Sequence, residues 1–119
     1  MINNLKFLIS EFLGTFVFLG VIFGNIKQNT SGIIIPIPIG MSLITMIYLF
    51  GPLSGGHFNP AVSLMDYIGY KLKFWSDTNH ITTIPILLLY WLAQFSAGIL
   101  TMILLNFLIS IKNENIIPT

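Results

Sequence analysis

Nineteen residues from Leu5 to Phe23 contain one Lys at the margin and one Glu, and are otherwise apolar or small. A helix needs about 20 such residues to cross a hydrocarbon core ~30 Å thick. The run therefore predicts a first spanning helix at about 5–24. A secretory signal peptide is the rival reading, but Asn25-Ile26-Lys27-Gln28 carries no small-residue cleavage pattern and the run exceeds the usual length of about 7–15 residues. Two further runs follow, predicting spans at about 33–51 and 84–110. Pro36 and Pro38 stand near the start of the second, so its regular helix is expected to begin near Pro38. Pro85 suits the first turn of the third, which the polar tail Lys112-Asn113-Glu114-Asn115 is expected to close.

Composition agrees with lipid as the solvent. Charged residues make up 8% of the chain, against about 25% in an ordinary soluble domain. Five Lys against four acids offer no basic cluster for nucleic acid. There is no Cys and there are two His, which excludes disulfides and thiolate sites and leaves little for a metal. With no nucleophile beside a base and no paired carboxylates, an enzyme is not expected; neither is a cofactor.

Between the second and third runs lies Gly51-Pro52-Leu53-Ser54-Gly55-Gly56-His57-Phe58-Asn59-Pro60-Ala61-Val62. Its glycines and prolines forbid a continuous helix. Beyond it, Ala61 to Tyr70 resumes an apolar pattern, with Asn59 suited to an N-cap and Pro60 to the first helical position. Ten residues make about 15 Å of helix, half of a ~30 Å core. The segment at about 52–70 can dip into the membrane but not cross it. Backbone carbonyls at Gly55, Gly56, His57 and Phe58 would then lie free at membrane depth, which is tolerated where they line a watery cavity or are buried in protein. The half-helix would aim its free N–H groups and positive dipole end at the bilayer centre beside Asn59.

The run Ser54 to Val62 resembles the first signature loop of the aquaporin, or major intrinsic protein, family. Glu11-Phe12-Leu13-Gly14-Thr15 is similar to the family's first-helix pattern, and Ala93-Gln94 to Gly98 to its third-helix pattern. The resemblance covers nearly the whole chain. It implies an all-α membrane protein built as an aquaporin-like half repeat over residues 1–119, with three transmembrane helices plus one re-entrant half-helix. It implies a passive channel for water, or for small neutral solutes such as glycerol. Asn59 would donate to water at the pore centre, with Pro60 and Ala61 packed against a partner half-helix. The carbonyls of Gly55, Gly56, His57 and Phe58 would line the file. Glu11 and Gln94 would brace the loop, although an interfacial charge and a general inter-helix bond are their plainer readings. Gly14, Gly20, Gly40 and Gly98 would allow close helix crossing, and His57 reads as a structural donor. Ile39 falls at the second-helix position of the outer constriction.

Family members carry six spans and two such loops in inverted halves, whereas this sequence carries three spans and one. The residue after Ala61 is Val62, so the family's selectivity arginine has no counterpart, and proton exclusion is not implied. A half implies a partner: a homo-oligomer, antiparallel if each chain accepts either orientation, or a complementary second-half chain. With the family topology Lys6, Lys71 and Lys73 would face one side and Lys27 and Lys112 the other, a weak bias that allows both orientations. The alternative is a truncated, non-conducting membrane protein or an assembly partner of full-length channels. Two features lie outside the resemblance. Trp75 reads as an interfacial anchor in a solvated loop over 71–83. Asp66, in the apolar half-helix, is expected to reach headgroups or to pair with Lys71 or Lys73.

Overall fold

The structure is a computed structural model describing residues 2–27, 35–76 and 79–114. Its elements are α1 (Ile2–Lys27), α2 (Pro36–Ser54), α3 (Pro60–Lys71) and α4 (Ile84–Glu114), with no strand among the described residues. Three of them, Asn4–Lys27 within α1, α2 and α4, are long and apolar enough to cross a membrane. The chain is a multi-pass integral membrane protein. At 1.5 Å per residue, α3 is about 18 Å long and stops short of a ~30 Å slab.

Helix α1 packs against both α2 and α4, and α3 packs against α4. Between helices in lipid there is no hydrophobic drive, so small residues and polar bonds hold the contact. On α4 the buried residues Ala93, Ala97 and Thr101 recur at four-residue spacing, one face of the helix. Thr101 Oγ1 reaches the Phe16 carbonyl of α1 at 3.3 Å. At the other end of this contact Gln94 bonds Glu11, so α1 and α4 run parallel. Gly14 and Gly98 sit close to neighbouring side chains, whereas nothing lies within 4 Å of a Cβ placed at Gly20 or Gly40.

The helix limits differ from expectation in three places. Helix α2 begins at Pro36, not Pro38, because both prolines fall in the first turn, where no intrahelical N–H bond is lost. It also continues through Gly51 and Pro52 to Ser54, where Gly55 at φ 89° donates its N–H to Gly51 O at 2.8 Å. That left-handed cap ends the helix, and Pro52 in its last turn lacks the N–H that would otherwise bond the Tyr48 carbonyl. Finally, α4 keeps its helix through Lys112, Asn113 and Glu114; about 46 Å of helix outruns the slab, and polarity alone does not break it. Residues Ile33, Ile34 and Asn115 lie outside the described residues.

Candidate functional site: a re-entrant strip braced from behind

Residues Gly56 to Phe58 link α2 to α3 without helical backbone bonding. Gly55, Gly56 and Phe58 have φ of 89°, 65° and 48°. The left-handed region costs glycine little but strains phenylalanine. The surroundings hold Phe58 there: it is 3% exposed, its N–H donates to Glu11 Oε2 at 2.7 Å, and its ring occupies the space where a Cβ on Gly14 would lie.

The N–H groups of the strip are tied into the protein. Gly56 N–H donates to Ser54 Oγ at 3.2 Å and His57 N–H to Glu11 Oε1 at 3.0 Å. Glu11 also accepts from Ser54 Oγ at 2.7 Å and from Gln94 Nε2 at 2.9 Å. A carboxylate is expensive at membrane depth unless it is paired; this one is fully buried and accepts four donors. Gln94 Nε2 donates its second hydrogen to Ser63 Oγ at 2.8 Å, and Ser63 Oγ lies 3.1 Å from His57 Nδ1. Glu11 and Gln94 therefore meet each other and the strip. The carbonyls of Gly55, Gly56, His57 and Phe58, by contrast, meet no donor among the described residues.

At the start of α3, Asn59 Oδ1 accepts from Ala61 N–H at 2.9 Å with its backbone extended, as an N-cap does. The assignment of oxygen to that contact leaves the Nδ2 hydrogens pointing elsewhere. Asn59 and Ala61 are exposed and Pro60 half-buried. Helix α4 secures both flanks of the strip: Tyr90 Oη donates to Ser54 O at 2.5 Å, and Trp91 Nε1 donates to Pro60 O at 3.0 Å. Ile39 stands apart, about 22 Å up the α2 axis from Ser54 at helical rise; the structure does not bring it to the strip.

Ser54, Ser63, Tyr90 and Trp91 carry bonds that the sequence did not announce as theirs. Asp66 pairs with neither Lys71 nor Lys73, because Lys71 is five positions on and faces another side of α3, over the rings of Tyr67 and Tyr70. It bonds instead to His80 Nδ1 and Ile81 N–H. Trp75 turns inward, its Nε1 donating to Asp66 O at 3.1 Å, and Ile81 of the expected solvated loop is buried beside Leu87 and Tyr90.

Three helices long and apolar enough to span, a short α3, and a lead-in strip with its N–H groups bonded and its carbonyls bare define a polytopic membrane protein. The family model described as Major intrinsic protein matches residues 1–117, and the chain belongs to that family. Over 79 residues it is 34% identical to "Aquaporin Z" of Photorhabdus laumondii, covering 58% of this chain and 33% of the relative. It is 25% identical over 115 residues to "Probable aquaporin TIP5-1" of Arabidopsis thaliana, covering 87% and 41%. To the "Glycerol uptake facilitator protein" of Streptococcus pneumoniae it is 34% identical over 106 residues, covering 82% and 41%. The match thus spans 33–41% of the length of these relatives. No solved structure matches.

Proposed function

We propose that the chain is one half of a passive transmembrane channel for water, with small neutral solutes such as glycerol as the next class, and that it has no enzymatic role. The observation that carries this reading is the asymmetry of the strip: its N–H groups are committed to Ser54 and Glu11, while the carbonyls of Gly55, Gly56, His57 and Phe58 accept nothing among the described residues. A row of fixed acceptors can replace the hydration of molecules in file. Asn59 Nδ2 supplies the donor at the end of the row, with Pro60 and Ala61 as the contact for an opposing half-helix. Ile39 contributes to the outer constriction, and Glu11 and Gln94 brace the row. The relatives' printed names, aquaporin and glycerol facilitator alike, support a water or small-solute permeant.

The row opens on a side where Asn59, Ala61 and Met65 are exposed, so a lone copy encloses no pore. The assembly supplies the opposite half, either as an antiparallel second copy or as a complementary chain. Purified chain in liposomes under an osmotic step tests this, with Asn59→Asp as control. Aspartate keeps the cap to Ala61 N–H and removes the free donor. Fast shrinkage that Asn59→Asp slows is expected; shrinkage no faster than that of empty vesicles removes the self-sufficient channel and leaves the complementary-chain or non-conducting reading. Tagged termini that face one fixed side would eliminate the antiparallel homodimer.

A further inference from the structure

A second polar cluster lies outside the brace, where α3 ends and the chain returns to α4. Asp66 occupies the middle of the half-helix and is 7% exposed. Both carboxylate oxygens are committed: Oδ2 accepts from Ile81 N–H at 2.7 Å, and Oδ1 lies 2.6 Å from His80 Nδ1. The backbone carbonyl of the same residue accepts from Trp75 Nε1. The Trp75 indole fills the space beside Gly69 and stacks on His80, with centroids 5.1 Å apart and planes at 17°. Trp75, His80 and Ile81 thus converge on Asp66, beside the Phe74 N–H bond to Gly69 O.

The pinned segment is a wall. A cavity of about 520 Å³ is lined by Asp66, Asn79, His80 and Thr82 together with Gly55 and His57 of the strip. An ionisable residue inside a membrane protein is costly and marks function by default; an apolar residue on the buried face of α3 would pack without that cost. Because both oxygens of Asp66 are bonded, its charge is not presented bare to the cavity. Its role is geometric rather than cation-attracting.

We propose that Asp66 is the positioning residue of the mouth that leads to the carbonyl row: it holds residues 79–82 back as a fixed wall and so keeps Gly55 and His57 reachable from that end. What passes the mouth rests on the channel reading; the pin does not.

The chain has no Cys, so Thr82→Cys is a unique reporter whose modification by a small water-soluble thiol reagent can be timed in liposomes. Asp66→Leu in that background is expected to speed modification at least about tenfold. Asp66→Asn, which keeps an acceptor for Ile81 N–H, is expected to stay within about threefold of the parent. Equal rates for parent and Asp66→Leu overturn the pin, as does an Asp66→Asn rate matching that of Asp66→Leu. Should Asp66→Leu fail to fold, hydrogen exchange on the unsubstituted chain decides: the Ile81 amide is expected to exchange at least about a hundredfold more slowly than a free peptide, and a free-peptide rate overturns the proposal. If no variant conducts yet the order of labelling holds, the self-sufficient channel falls and the pin stands. A conducting parent matched in rate by Asp66→Leu overturns the role at the mouth.

Discussion

Replacing Glu11 by glutamine removes one acceptor and keeps the shape, which makes it the sharpest probe of the brace. The carboxylate divides its bonds: Oε1 takes Ser54 Oγ and His57 N–H, and Oε2 takes Phe58 N–H and Gln94 Nε2. A glutamine must turn its NH2 toward one of these pairs. Toward the first, Ser54 can rotate its hydroxyl to accept, but His57 N–H loses its partner. Toward the second, Gln94 can present its Oε1, which has no donor in the parent, at the expense of its bond to Ser63, and Phe58 N–H loses its partner. Either way one backbone N–H is orphaned, at about 1–3 kcal/mol, and the two bonds kept fall from charge-assisted to neutral, about 0.5–1.5 kcal/mol each. The total is about 4 kcal/mol, with a floor of about 2. Relief of a buried charge opposes it, a term of about 2.5–3.5 kcal/mol on insertion scales. That relief largely cancels, because the inserted but unpacked chain holds the same glutamate in the same slab. Denaturant titration in mixed micelles, followed by the near-ultraviolet signal of the tryptophans, measures the difference. A Glu11→Gln chain as stable as the parent, or more so, would refute the claim that the four bonds outweigh desolvation.

Gly14→Ala drives its Cβ into the Phe58 ring and should cost about 1–3 kcal/mol as overpacking; the double variant Gly14→Ala/Phe58→Leu should recover more than half, a coupling that a double-mutant cycle of thermal midpoints in detergent reads directly. Tyr90→Phe removes the 2.5 Å bond to Ser54 O and leaves a buried carbonyl unpaired, so a loss of about 1–3 kcal/mol is expected in the same assay; no loss would mean that water replaces the hydroxyl.

The spans were legible because hydropathy over about 20 residues is a bulk property that neighbours cannot override. The cap at Asn59 was legible too, since Asn before Pro before an apolar run satisfies two local rules at once. The back of the strip was not. Ser54, Tyr90 and Trp91 act on or beside backbone groups, and a carbonyl acceptor leaves no mark on the residue type that supplies it. Phe58 carries no sign of its left-handed φ, which Glu11 and Gly14 impose from another helix. Asp66 stood out as a charge without an account, but its partners lie 14 and 15 positions on in a connector with no periodicity to place them.

The bonds of the brace have a consequence for how folding and conduction separate. Glu11, Ser54, Ser63, Tyr90, Trp91 and Gln94 all belong to this chain, and together they tie α1, α2, α3 and α4 to the strip. None of these bonds needs a second chain, whereas the face bearing Asn59 and Ala61 is exposed in the single chain. The strip is therefore preorganised, and assembly does not have to meet the ordering cost of about 1–2 kcal/mol per residue for Gly55 to Phe58. Amide exchange on the chain held monomeric in detergent should show His57 and Phe58 N–H protected at least about a hundredfold, with no further slowing at these two sites when the chain is concentrated into oligomers. Protection that appears only on assembly would mean that the opposite half, not Glu11, orders the strip.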